Sequence, residues 1–168
     1  MIYLEDLTLI KLDWMKDQKF VFGSVMIVAN RMDTLLGRDL QDFDITSKQW
    51  FLTVVLGNSF EKAPTIKEVA KEMGSSHQNI KQVALKLEQK GFLVLEKDKK
   101  DARVTRLKLT SENEKLAEIT QDKAAIFTQE LFNGIDKEEM SNARAVLQKM
   151  MSNLAEMEAR RSESGEEA

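Results

Sequence analysis

Apolar positions recur every three or four residues along most of this chain, as expected of helices that bury one face. The helix starts are marked by Ser, Thr or Asp followed three residues later by Glu or Gln, so that side chain and backbone cap each other. Such pairs fall at Thr46/Gln49, Thr65/Glu68, Ser75/Gln78 and Ser111/Glu114, with an acidic version at Asp136/Glu139. The pattern predicts a long helix over 19–40, carrying Val21, Val25, Val28, Met32 and Leu35. A second helix is predicted over 47–57, ended by Gly57-Asn58, a third from Ile66 to about Met73, and a fourth from Ser76 to Lys90. Gly91 can take the left-handed conformation that closes the fourth.

The period then falls to two. Phe92–Lys97 and Arg103–Leu109 are rich in Val, Leu and Phe, and the polar run Asp98-Lys99-Lys100-Asp101 between them suits a hairpin turn. From Ser111 the helical period resumes, broken at Ile135-Asp136 after about 20 residues. The last helix, to about Arg160, carries Met140, Ala143, Leu147, Met150, Leu154 and Met157 in a short heptad-type stripe. The tail from Ser162 has no apolar period and reads as disordered. Residues 1–16 are apolar enough (Ile2, Leu4, Leu7, Leu9, Ile10, Leu12, Trp14) to pack on something, and a short extra helix at a dimer interface is expected there.

Composition narrows the function. The 168 residues contain no Cys and one His, which excludes disulfides, thiolate metal sites and thiol redox chemistry, so no metal or cofactor is expected. No phosphate-cradling Gly-rich loop, His-Glu-x-x-His or nucleophile elbow is present, and an enzyme is not expected. Met1 is followed by an acidic stretch rather than a basic one, and the longest apolar run, Phe20–Ala29, has ten residues. A cytoplasmic protein without a membrane span is therefore expected. The net charge of -3 is unevenly shared: Thr65–Thr110 carries +5 and the remainder -8. A basic segment on an acidic body suits a local anionic partner such as nucleic acid, although an unevenly charged surface accounts for it as well.

That segment also holds the chemistry. Gly74 separates two short helices, Ala70 lets them approach, and Val69, Met73, Ile80 and Val83 can fill the wedge between them, as a helix-turn-helix requires. The second helix opens with Ser75, Ser76, Gln78, Asn79, Lys81 and Gln82, side chains able to hydrogen-bond base edges. A plain helical hairpin with a polar face would look similar. The basic hairpin that follows, with Lys97, Lys99, Lys100 and Arg103 around its tip, turns the motif into a winged helix whose tip can reach a minor groove. His77, at the start of the recognition helix, has no Cys or His companion for a metal and suits a base or phosphate contact, or solvent.

These residues resemble the MarR family of winged-helix transcription regulators. The resemblance rests on Ile45-Thr46 with Gln49-Trp50, on Thr65-Ile66 through Gly74, and on Leu87-Glu88-Gln89-Lys90-Gly91-Phe92-Leu93. Its most specific part is the wing pattern Asp101-x-Arg103-x-x-x-Leu107-x-Leu109-Thr110, and it extends over about 20–160. It implies a mainly α fold with a small two- or three-stranded antiparallel sheet: a winged helix-turn-helix over 46–110, dimerisation helices over 1–45 and 111–160, and a tail from 161, all in one intertwined domain. Three departures stand out: Val94-Leu95 where many members carry a basic pair, Ala102 where many have a second wing Arg, and Glu112 in place of the usual Gly two residues after the wing's Leu-Thr. Lys97, Lys99 and Lys100 can compensate.

The expected function is a sequence-specific double-stranded DNA-binding regulator, a ligand-responsive repressor that binds a pseudopalindromic operator as a homodimer. Ser76, Gln78, Asn79 and Gln82 would read bases, Thr46, Lys81 and Lys86 would sit on phosphates, and Arg103 would enter the flanking minor groove. Thr65 and Ser75, at the openings of the two helices, complete the set with Lys97, Lys99 and Lys100. Val21, Val25, Leu131, Leu147, Met150 and Leu154 would line the dimer interface. The resemblance further implies a small aromatic or amphipathic effector between dimer helices and winged helix. No spacing points to its site; Asn30 and Arg31, polar residues on the largely apolar first helix, are the candidates, and they suit solvent equally. The alternative is a winged-helix dimer that acts as a protein-interaction or antagonist module with weak DNA binding.

Overall fold

A computed structural model describes residues 15–164. Six helices and one hairpin follow in the order α1 (Asp17–Asp39), α2 (Ser47–Asn58), α3 (Ile66–Glu72), α4 (His77–Gln89), β1 (Leu93–Lys97), β2 (Thr105–Leu109), α5 (Ser111–Leu131) and α6 (Lys137–Glu163). A single 3-10 turn, Gln41–Phe43, joins α1 to α2. The chain divides into two compact units after Phe127, within α5.

The caps act largely as their spacing predicts. Reciprocal side-chain and backbone bonds close the starts of α2 (Thr46/Gln49), α3 (Thr65/Glu68) and α6 (Asp136/Glu139). Two expectations shift by one residue. The cap of α4 is Ser76, whose hydroxyl accepts from the Asn79 N–H at 3.1 Å, rather than Ser75 with Gln78. Ser111 is already helical, and the Thr110 hydroxyl accepts from the Asn113 N–H at 3.4 Å. At the other end, α6 continues through Ser162 to Glu163, past the expected stop at Arg160. The apolar segment 1–14 and residues 165–168 of the tail lie outside the described residues.

In the first unit, α2, α3, α4 and the hairpin enclose one core of Leu52, Leu56, Ile66, Val69, Ala70, Ile80, Ala84, Leu87, Leu93 and Leu107, with Leu40, Ile45 and Leu116 joining it from the flanks. Gly74, at φ +56, makes the turn between α3 and α4, and Gly91, at φ +80, the turn from α4 into β1. The antiparallel hairpin pairs Leu93 with Leu109, Leu95 with Leu107 and Lys97 with Thr105. Its leucines turn inward because residues facing each other across a ladder share a face. The third line of the sheet is one bridge, Thr65 to Arg106, so β2 runs between β1 and the segment ahead of α3. Arg103 falls in the turn before β2 rather than within the strand, because the ladder ends at Thr105.

The long helices are different. No residue of α1 is buried; Phe20, Val21, Phe22, Val25, Met26, Val28 and Leu35 are all exposed. In the second unit α6 likewise buries nothing, and Val146, Leu147, Met151, Leu154 and Met157 are exposed. Of the residues expected at a dimer interface, Val21, Val25, Leu131, Leu147 and Leu154 are exposed and Met150 is half-buried.

Leu87 has no exposed surface and lies on the face of α4 that meets the core. Leu87→Ala is expected to cost about 2–5 kcal/mol. Urea unfolding measures this, and a loss under about 1 kcal/mol would contradict the packing described.

Candidate nucleic-acid interface

Helix α4 has two faces because its sequence has two. Ile80, Ala84 and Leu87 point into the core, which obliges Gln78, Asn79, Lys81, Gln82 and Lys86 to face outward. His77, the first helical residue, is exposed as well. Lys81 and Lys86 have no ion pair among the described residues. Asn79 is held by its neighbours: its side-chain amide donates to the Ser75 hydroxyl at 2.9 Å. Ser75 and Thr65 are half-buried and bonded locally: the Thr65 hydroxyl accepts from the Glu68 N–H in the cap of α3, and the Ser75 hydroxyl from the Asn79 amide. The capping bonds from Thr65, its backbone N–H first and its hydroxyl second, hold the Glu68 carboxyl below its usual range.

Beside α4, the start of α2 brings Thr46 to the surface. A cleft of about 630 Å³ lies between them, lined among others by Thr46, Lys48, Asn79, Gln82, Lys86 and Lys90. Its walls are fastened by contacts that sequence reasoning did not find. Asp33 of α1 accepts a close hydrogen bond from the Ser47 hydroxyl and lies 3.8 Å from the Lys48 ammonium. Lys90, at the end of α4, donates to the Asp44 carbonyl and sits 3.1 Å from its carboxylate. Asp44 is the one non-glycine residue at positive φ (52°) among the described residues, and this double contact helps hold it there.

At the tip of the hairpin, Lys99 and Lys100 are exposed and without an ion pair among the described residues, and Lys97 is exposed with its ammonium 3.4 Å from the Thr105 hydroxyl. The Arg103 side chain is 92% exposed yet not free: its guanidinium donates twice to Asp101, at 3.1 and 3.2 Å. Those bonds, with a third from the Arg103 N–H, lower the Asp101 pKa. Asp98 does more. It accepts from the Arg106 guanidinium and from the backbone N–H groups of Lys100 and Asp101, which together bring its pKa down to about 2.

Helix-turn-helix, two-stranded wing, polar outer face on α4 and a basic wing tip thus come together in one unit. No family model matches the sequence, and no curated protein matches it. Solved structures do. A MarR/EmrR family transcriptional regulator from Acinetobacter sp. ADP1 superposes with a TM-score of 0.74 over 84% of this chain and 99% of that one, at 17% identity. MepR of S. aureus, in complex with DNA, gives 0.70 over 77% and 94%, at 24% identity. BpsR of Bordetella bronchiseptica, whose DNA binding is regulated by 6-hydroxynicotinic acid, gives 0.68 over 77% and 91%, at 22% identity. The chain has the MarR-type winged-helix fold. Within that fold, Asn30 and Arg31 line a groove of about 390 Å³ on α1 with Thr34 and Arg38, away from the wing and α4 in sequence.

The Asp98 pKa has a direct consequence. Because its folded value lies below the ordinary 3.8, the carboxylate adds stability at all pH values above that figure, and this is lost as pH falls towards about 2. Carboxyl NMR titration of the folded protein is expected to find Asp98 titrating near 2. A midpoint near 4 would show that the Arg106 and backbone contacts do not form in solution.

Proposed function

We propose that the protein is a sequence-specific double-stranded DNA-binding transcription regulator that acts as a homodimer, and not an enzyme. The observation that carries this reading is the outward row of hydrogen-bonding side chains on the first half of α4, beside a wing tip with exposed Lys99, Lys100 and Arg103. Gln78, Asn79 and Gln82 can pair with base edges in a major groove, while Lys81, Lys86 and Thr46 fix position on phosphates. Arg103 suits the narrow, negative minor groove alongside. Its guanidinium is exposed and paired with the Asp101 carboxylate, a contact it can exchange for a phosphate.

The dimer is supported by the apolar stripes. A monomer exposing the faces of α1 and α6 would show water a far larger apolar surface than a lone soluble chain usually tolerates. By length and composition α1 could also cross a bilayer. Its Asp33, however, is bonded to Ser47 at the start of α2, and Leu40 just beyond its end is fully buried, so the reading here is a protein–protein face. Two-fold symmetry then calls for a pseudopalindromic operator with half-sites roughly 34–36 Å apart. Bound at a promoter, such a dimer would exclude polymerase, which makes repression the proposed action. The proposed release signal is a small aromatic or amphipathic effector, able to act only through differential affinity for DNA-competent and incompetent states.

Selection of duplexes from a random pool tests the reading. Recovery of a pseudopalindrome is expected, with Arg103→Ala weakening its binding by about 1–3 kcal/mol at matched salt. Binding that is salt-sensitive but indifferent to sequence would overturn direct readout and favour a protein-interaction module. Replacing Leu147 and Leu154 with Asp is expected to yield monomers or insoluble chain by light scattering. Folded monomers that bind DNA as well as the unaltered protein would contradict the dimer.

A further inference from the structure

Arg106 occupies the junction between the wing and the helix-turn-helix. In the ladder it faces Glu96, but its guanidinium reaches elsewhere. One edge donates to the Asp98 carboxylate at the base of the wing turn, and Nη1 donates to the Ala63 carbonyl at 2.8 Å, just ahead of α3. The other Asp98 oxygen, Oδ1, receives the N–H groups of Lys100 (2.8 Å) and Asp101 (3.1 Å), so the turn that carries Lys99, Lys100 and Arg103 is built around this carboxylate. Backbone bonds run in the same direction: the Leu107 N–H donates to the Pro64 carbonyl at 2.8 Å, and Arg106 bridges to Thr65, which caps α3. The result is a continuous line from the wing turn through Asp98 and Arg106 to the residues that start α3. Both side chains are partly shielded, Asp98 at 15% exposure and Arg106 at 38%, which strengthens the pair relative to a fully solvated one.

We propose that Asp98 and Arg106 are positioning residues for DNA binding: they fix the wing tip relative to the helix-turn-helix so that Arg103 and α4 meet one duplex together. The inference rests on the DNA-binding reading above. Neither side chain needs to touch DNA: both Asp98 oxygens accept within the wing, and Nε and Nη1 of Arg106 are directed at Asp98 and Ala63. A basic tip on an untethered hairpin would lose conformational freedom on binding, whereas a tethered tip has already lost it. An Arg suits the role because Nε and Nη1 are separate atoms of one rigid plane, so Asp98 and Ala63 are held at a fixed angle to each other, whereas a Lys ammonium gathers its donors on one rotating atom.

Arg106→Gln, Arg106→Lys and Asp98→Asn test the proposal in two ways. In the free protein, 15N relaxation is expected to show faster motion of the 99–103 amides in each variant, with α2 and α4 unchanged. Binding of a selected duplex is expected to weaken by about tenfold, the scale of ordering a mobile interface group. In an Arg103→Ala background the same substitutions should do little, since the effect travels through Arg103. Wing amides as rigid as in the unaltered protein, or an equal loss of affinity with and without Arg103, would overturn the inference. Should no duplex be bound by the unaltered protein, the DNA reading fails while the relaxation measurement still decides whether the pair orders the wing. Asp98→Asn keeps size and packing, so it remains informative if an Arg106 variant unfolds.

Discussion

Everything at the candidate interface depends on the inner face of α4. Ile80, Ala84 and Leu87 fill the space enclosed by α2, α3 and the hairpin, and burying them leaves one orientation for the helix. Rotating α4 would expose those residues and drive Gln78, Lys81 or Gln82 into a core with no partner for them, at a cost of several kcal/mol. The outward row is therefore a consequence of apolar packing rather than of any attraction to a ligand. The same packing carries the wing, because Gly91 lets the chain leave α4 directly into β1, whose Leu93 closes the core.

Much of this was legible because it is local. Capping pairs three residues apart, glycines at left-handed turns and alternation along a hairpin leave marks that one stretch of chain can show. The differences are also local and small: Ser76 rather than Ser75 caps α4, and the Thr110 hydroxyl rather than that of Ser111 accepts at the start of α5, since neighbouring hydroxyl residues allow two registers. What could not be read joins distant residues of ordinary type. Arg106 with Ala63, Lys90 with Asp44 and Asp33 with Ser47 have no periodic signature, and in sequence Arg106 was only one of several basic residues. The dimer-interface residues occupy an intermediate place: their helical stripes predicted burial by a partner, and what is seen is exposure.

The wing shows how such distant contacts bear on function. The cations around the tip are Lys97, Lys99, Lys100 and Arg103, and with so few of them, where each points gains weight. Asp101 accepts from the Arg103 guanidinium, Asp98 shapes the turn beneath it, and Arg106 ties the turn to the segment ahead of α3. Acidic residues in a basic tip are thus organisers of the charge they appear to dilute. A net-charge count of the segment passes over this, because it sums groups that act in sequence.

In the proposed function, two copies of α4 and its wing engage one face of a duplex. Hydroxyl-radical footprinting of a bound duplex tests it most directly. Two protected half-sites related by two-fold symmetry are expected, with centres about one helical turn apart, and protected minor grooves flanking them that reopen in Arg103→Ala. A single protected patch, or protection spread evenly along the duplex, would contradict it.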